Sequence, residues 1–308
     1  MRVSWLNRGL HSHPGGDLIQ VEETALALRK QGVWVNVESE DPEQCRPHLS
    51  SIDIAHIVHC NFGFSKANWL WCVKAGVPYV LTPLYYDANK LGMTYEEQRQ
   101  MLEGASAVTL FTLQEAELIQ RCTGYNGFNA DRGGFRIIPN GTSVRFHSSE
   151  DPMQRAGVLA VAAREGAKGT GIVRELCKEL GYPFTLATGV AKEDMPGLYK
   201  SHRVFVHAAD LEVMSLVIGE ALCANCRVLA TETNPGNSWY PGLVTFNPHM
   251  PAGRVVLKNL LQWAYLEGAE PGWVHWNYTP NEAARKLTWD YVATQFKEVY
   301  NEVLNHSS

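Results

Sequence analysis

The chain has 308 residues, 45% of them hydrophobic and 19% charged, which suits one large or two ordinary globular domains with ample core. A net charge of -5 counts against an extended nucleic-acid surface, and no apolar run reaches the ~18 residues of a membrane span. Seven scattered cysteines fit reduced thiols, and Met1-Arg2-Val3-Ser4-Trp5-Leu6 enters a strand pattern rather than a signal peptide, so the expected location is cytoplasmic.

Read in order, residues 2–6 form a predicted strand, and His11-Ser12-His13-Pro14-Gly15-Gly16-Asp17 a turn-rich loop. A helical pattern over 18–31 places Val21, Ala25 and Leu28 on one face and stops at Gly32, before the strand Val33-Trp34-Val35-Asn36-Val37. Strand, glycine loop, helix and strand within forty residues make a βαβ opening. Further strands are predicted at 52–59, 77–82, 107–111 and 135–138, with helices over 67–75, ending at 102–105, and over 113–122. Residues 142–156 are polar, lack periodicity and read as a linker. A second α/β half follows, with strands at 157–162, 184–188, 203–207 and 242–246 and a helix over 170–180. One long amphipathic helix is expected from 281 to about 305.

The stretch from Asp210 to Thr231 is the least ordinary. Glu212 and Glu220 stand eight positions apart in an apolar run, and a carboxylate is costly to bury without a partner. Helix-dipole or salt-bridge roles are the plain reading, and contact with the hydroxyls of a bound sugar or ribose the functional one. The run stops at Asn225, a residue that tolerates the left-handed conformation after a helix. Cys223 and Cys226 have redox or zinc spacing, but no companion pair follows.

Taken together, these motifs resemble the two-domain GT-B glycosyltransferases, specifically glycosyltransferase family 4. The matching pieces span nearly the whole chain. They are Gly15-Gly16, Ile138-Pro139-Asn140-Gly141, Arg164 with Lys168-Gly169, the Glu-x7-Glu pair Glu212 and Glu220 with Glu220-Ala221-Leu222, and the closing Trp289-Asp290-Tyr291-Val292-Ala293. The resemblance implies two Rossmann-like doubly wound domains facing a central cleft. An acceptor-side domain would cover 1–145 and a donor domain 155–280, with a C-terminal helix, 281–308, crossing back to the first. Several places depart from the family pattern. Glu212-Val213-Met214-Ser215-Leu216 replaces Glu-Gly-Phe-Gly-Leu, Arg164 and Lys168 are four apart, and Pro83-Leu84-Tyr85-Tyr86-Asp87 stands where many members have His-Asp.

The resemblance implies a retaining hexosyltransferase using a nucleotide-diphosphate sugar, a UDP-sugar before a GDP-sugar, with no metal or other cofactor. Arg164 and Lys168 would neutralise the departing diphosphate. A helix beginning near Met214 or Ser215 would point backbone amides at it, with Ser215 and Leu216 as donor-binding residues. Glu212 would hydrogen-bond the transferred sugar and Glu220 the ribose, while Gly15 and Gly16 would let backbone approach the ligand. His59, Tyr85, Tyr86 and Asp87 are acceptor-side candidates. Between Arg121 and His147, Arg121, Arg132, Arg136 and Arg145 interleave with Tyr125, Phe128, Phe135 and Phe146. That stretch is either a solvated loop or a grip for a nucleic-acid acceptor hydroxylated on a base, and a small molecule, a glycan or a lipid headgroup are the other acceptors. The alternatives are a nucleotide-sugar-binding protein that has lost catalysis and a nucleotide-sugar epimerase on the same fold.

Overall fold

In the computed structural model, which describes residues 1–7, 15–38, 51–85, 92–127, 135–164, 166–210, 212–266 and 279–306, the strand patterns become two sheets. One takes β1 (Arg2–Leu6), β2 (Trp34–Glu38), β3 (Ile54–Val58), β4 (Tyr79–Thr82), β5 (Ala107–Leu110) and β6 (Phe135–Ile137) in the order β2-β1-β3-β4-β5-β6. The other takes β7 (Val158–Val161), β8 (Phe184–Ala187), β9 (Val204–His207), β10 (Arg227–Thr231) and β11 (Val244–Phe246) in the order β11-β10-β9-β7-β8. All of these pairings are parallel. Parallel strands are covered on both faces, which is why β3 and β9 are buried along their whole length and are apolar but for His56 and His207.

The covering helices of the first sheet are α1 (Gly16–Lys30), α2 (Gly63–Ala75), α3 (Tyr95–Glu103) and α4 (Leu113–Thr123). With the second sheet go α5 (Thr170–Leu180), α6 (Met195–Ser201), α7 (Leu216–Cys223), α8 (Gly253–Tyr265) and α9 (Thr279–Lys286), and α10 (Trp289–His306) ends the chain. Local chemistry sets several of the ends. Thr94 and Glu97 form a reciprocal capping box at the start of α3, and Gly76, Gly124 and Gly181 close α2, α4 and α5 in the left-handed conformation. None of the described helices is long and apolar enough to cross a membrane.

The chain divides into one unit of Met1–Gly141 with Trp289–Ser308 and a second of Thr142–Thr288. The expected linker is not a linker, because residues from Thr142 onward belong to the second unit. Arg155 donates to the Ala224 carbonyl at 2.8 Å and to Ser148 Oγ at 3.0 Å, and Arg203 donates to the carbonyls of Met153 and Arg155. Arg203 thus satisfies two carbonyls of a segment that has no regular ladder, and Arg155 ties the same segment to the end of α7. The single C-terminal helix is in fact two, interrupted at Leu287 and Thr288, where the Leu287 carbonyl accepts from the Thr142 amide at 2.7 Å. Asn225 adopts a φ of 63° and its amide donates to the Glu150 carbonyl.

Within the first unit α10 lies against α1, and Lys297 donates to the Gln31 carbonyl at 2.9 Å. Gly141 leaves room for Trp289, since a Cβ there would lie 2.6 Å from the indole ring. The deeper attachment is polar. His56, buried on β3, meets Tyr300 Oη through Nδ1 at 2.6 Å and Thr82 Oγ1 through Nε2 at 2.7 Å. Thr82 continues to Thr109 Oγ1 at 2.5 Å, and Trp5 stacks on the imidazole with centroids 3.9 Å apart. Burial pushes His56 down to about 3, so the ring is neutral and can donate at one nitrogen while accepting at the other.

Replacing Tyr300 with Phe strands one buried ring nitrogen and is expected to cost about 1–3 kcal/mol in urea unfolding. The pH dependence follows from a histidine whose folded value is depressed. Its contribution is fully present above about pH 6.5 and is lost as pH falls towards about 3, at up to about 1.4 kcal/mol per pH unit. Acid unfolding of His56→Gln should therefore be shallower by about one proton across that window, and an unchanged slope would contradict the assignment.

Candidate active site

In the second sheet the chain leaves β7 towards β8 in one direction and returns through β9, β10 and β11 in the other. Such a reversal opens a crevice beyond the carboxyl ends of the two central strands. The turn after β7 carries Arg164 and Lys168, and the loop after β9 carries Glu212, so sequence-distant candidates arrive at the same edge. The two loops touch where a Cβ on Gly169 would fall 2.2 Å from the Ala208 carbonyl oxygen. Gly169 also has a φ of 66°, and Gly166 and Lys168 are left-handed too, with φ of 74° and 53°.

That tight turn delivers Lys168 Nζ to 2.6 Å from Glu212 Oε1. Lysine is 40% exposed and glutamate 16%, so solvent screens the pair, and its net worth is about 0–1 kcal/mol. A more strongly charged ligand can therefore displace it. Arg164 is exposed and forms no ion pair among the described residues. Behind Glu212, His207 Nε2 lies 3.9 Å from the same carboxylate oxygen. Burial, with the nearby Lys168 charge second, pushes His207 down to about 3. Sequence reasoning passed over His207; the available signal was a histidine ending the apolar strand Val204-Phe205-Val206, five residues before Glu212.

Val213 and Met214 turn inward. Both side chains are buried, and Gly236 makes the room, since a Cβ there would come 2.7 Å from Met214 Cα. The Gly236 amide donates to the Val213 carbonyl, and Thr231 Oγ1 donates to the Ala209 carbonyl, so the strand after α7 fixes the loop. Ser215 caps α7 without a side-chain hydrogen bond, which leaves its first amides for water or a ligand, with Leu216 as the first helical residue. Glu220 lies one turn on and accepts from Tyr199 Oη at 3.0 Å. Its protein partner is thus a tyrosine on α6, an element the sequence reading did not place.

In the first unit Gly15 precedes α1 and Gly16 begins it, and the Gly15 carbonyl accepts from Leu18. Asp17, in the first turn of α1, meets His59 Nε2 at 3.2 Å, and both are nearly buried. His59 itself has a φ of 72° and sits beside Phe62 and Phe64. Tyr85 is turned into the hydrophobic core, and its amide donates to Glu115 Oε1 at 2.9 Å. Tyr86 and Asp87 lie outside the described residues. The basic-aromatic stretch is divided between the units. Arg136 pairs with Glu302 at 2.8 Å in the first unit, and the buried Phe146 packs edge-on to Tyr199 in the second. Phe128 and Arg132 lie outside the described residues. Cys223 and Cys226 are buried with thiols pushed up to about 12, so neither is a thiolate at neutral pH.

Two α/β domains built on parallel sheets of six and five strands constitute the GT-B fold. The chain is similar over 100% of its length, and 100% of the other's, to sucrose-phosphate synthase from Thermosynechococcus elongatus, with a TM-score of 0.73 and 14% identity. It is also similar to HepE from Anabaena in complex with UDP-glucose, at a TM-score of 0.71 and 13% identity over 98% of this chain and 100% of that one. The catalytic domain of starch synthase IV from Arabidopsis thaliana, bound to ADP and acarbose, gives 0.70 and 13% over 98% and 99%. No protein-family model matches the sequence, and no curated protein matches it significantly.

Gly169→Ala combines an unfavourable φ with a clash against Ala208, and should destabilise the protein by at least about 2 kcal/mol. Chemical unfolding measures it, and a change under about 0.5 kcal/mol would mean that the turn can relax elsewhere.

Proposed function

We propose that this chain is a retaining glycosyltransferase of the family 4 type, moving a hexose from a nucleotide-diphosphate sugar to a hydroxyl acceptor. The observation that carries the reading is the meeting of Lys168 and Glu212 at the reversal point of the second sheet. A carboxylate for sugar hydroxyls and cations for a diphosphate stand at one strand edge, with Arg164 and the first amides of α7 close by in sequence. The binding of UDP-glucose by HepE, together with the shared fold, favours a UDP-sugar as donor.

In this reading the diphosphate draws Lys168 off Glu212 and takes a forked contact from Arg164. These cations and the α7 amides meet the growing charge without an obligatory divalent ion. Glu212 orients the sugar ring, while Tyr199 holds Glu220 for the ribose hydroxyls. The acceptor oxygen attacks on the face from which the phosphate departs, and a departing phosphate oxygen takes its proton. His59, paired with Asp17, is the first-unit candidate for holding the acceptor, and Tyr86 and Asp87 further along the chain are the other candidates. Burial of Tyr125 and Phe146 favours a small hydroxylated molecule or a glycan over a hydroxylated base in DNA. The proposed working location is the cytoplasm.

A thermal-shift panel of UDP-, ADP- and GDP-sugars should show one nucleotide series stabilising the protein, by about 2.7 kcal/mol at a hundredfold excess over Kd. Transfer, or slow release of free sugar from that donor, should fall at least about 10²-fold in Glu212→Ala and Lys168→Ala while the fold is retained. Full turnover by both variants would falsify the site. Binding without any release favours the lapsed binding protein, and conversion of the sugar without acceptor favours the epimerase.

A further inference from the structure

The ion pair between Lys168 and Glu212 occupies the groups that a diphosphate sugar needs, so ligand binding must separate them. Lys168 then has the phosphate, but Glu212, only 16% exposed, is left as a largely buried carboxylate. One polar group stands behind it. His207 Nε2 is 3.9 Å from Glu212 Oε1, is buried, and has no hydrogen-bond partner among the described residues. Its ring ends β9 and lies nearly parallel to Phe205, at 17° with centroids 6.4 Å apart. A shift of about 1 Å, within the reach of a glutamate rotamer, brings the carboxylate into hydrogen-bond range.

We infer that His207 is a positioning residue for Glu212, taking the carboxylate from Lys168 when a nucleoside diphosphate claims the lysine. This rests on the proposed function for its ligand, not for its geometry. In the ligand-free state Glu212 is held by Lys168, and His207 is neutral in its apolar seat. In the liganded state the Nε2–H of His207 donates to Glu212 and fixes the outer oxygen towards the sugar. The charged groups placed against the imidazole are Lys168, from the turn after β7, and Glu212, from the loop after β9; Phe205 beside it carries no charge. Removing the lysine's charge and gaining the carboxylate both favour a proton on the ring. The exchange leaves a spectroscopic trace that a merely structural histidine would not.

The first measurement needs no ligand. In Lys168→Met, the His207 ring nitrogen resonances and titration midpoint, followed by NMR, should move towards the protonated form. Adding Glu212→Gln to that variant should reverse most of the movement. A His207 signal indifferent to both changes overturns the inference, whatever the protein's function. The second uses UDP, ADP and GDP as probes in calorimetry and NMR. The diphosphate that binds should move the His207 signal in the same direction as Lys168→Met does. His207→Leu should weaken its binding or lower kcat about ten- to hundredfold, and His207→Gln, which keeps an amide donor at the same reach, should recover most of that. Equal losses in Leu and Gln variants would reduce His207 to a packing role. If none of the three diphosphates binds, the functional reading fails, while the apo comparison still decides whether the carboxylate changes hands.

Discussion

Parallel pairing is the constraint on which the rest of this structure depends. A strand that must run in the same direction as its neighbour needs a crossover, and every crossover returns the chain to the same edge. The loops that follow β7 and β9 therefore end up side by side, although about forty residues separate Arg164 and Lys168 from Glu212 in sequence. Glycine at 169 then removes the last obstacle to their approach. The chemistry of the second unit is a consequence of topology before it is a consequence of residue type.

Charge at that edge is held in a low-cost ground state. A half-exposed lysine and a partly buried glutamate neutralise one another, so neither needs a deeply desolvated partner. The polar groups of the first unit follow the opposite logic. His56, Tyr300, Thr82 and Thr109 are buried together and satisfied together, and their role is to fix α10 to the sheet. One set of polar groups is partly open to solvent; the other is sealed in the core. The same unit shows a third use in Glu115, whose buried carboxylate is pushed up to about 7 by desolvation against two backbone donors. It ties the start of α4 to the backbone of Tyr85 and Phe111.

Val213 and Met214 show how bulk in a loop is accommodated at a distance. Read alone, two large apolar side chains beside Glu212 suggest a crowded loop. In the folded chain the bulk points inward, and Gly236 leaves the space on the other side of the contact. Similarly, Glu220 is a carboxylate in an apolar run until α6 brings Tyr199 to it, and the carbonyls of Glu150, Met153 and Arg155 are met by arginine side chains rather than by a ladder.

By itself the sequence determined the strands, most of the helices and the alternation that makes two α/β halves. Those features rest on short-range periodicity, glycine stops and spacing, which are local. Only the tertiary structure decided the pairing of Lys168 with Glu212, the nearness of His207, the inward turn of Tyr85 and the break between α9 and α10. Each depends on which distant segment a side chain meets, and burial, partner and charge state at such places are properties of the packed neighbourhood rather than of the residue.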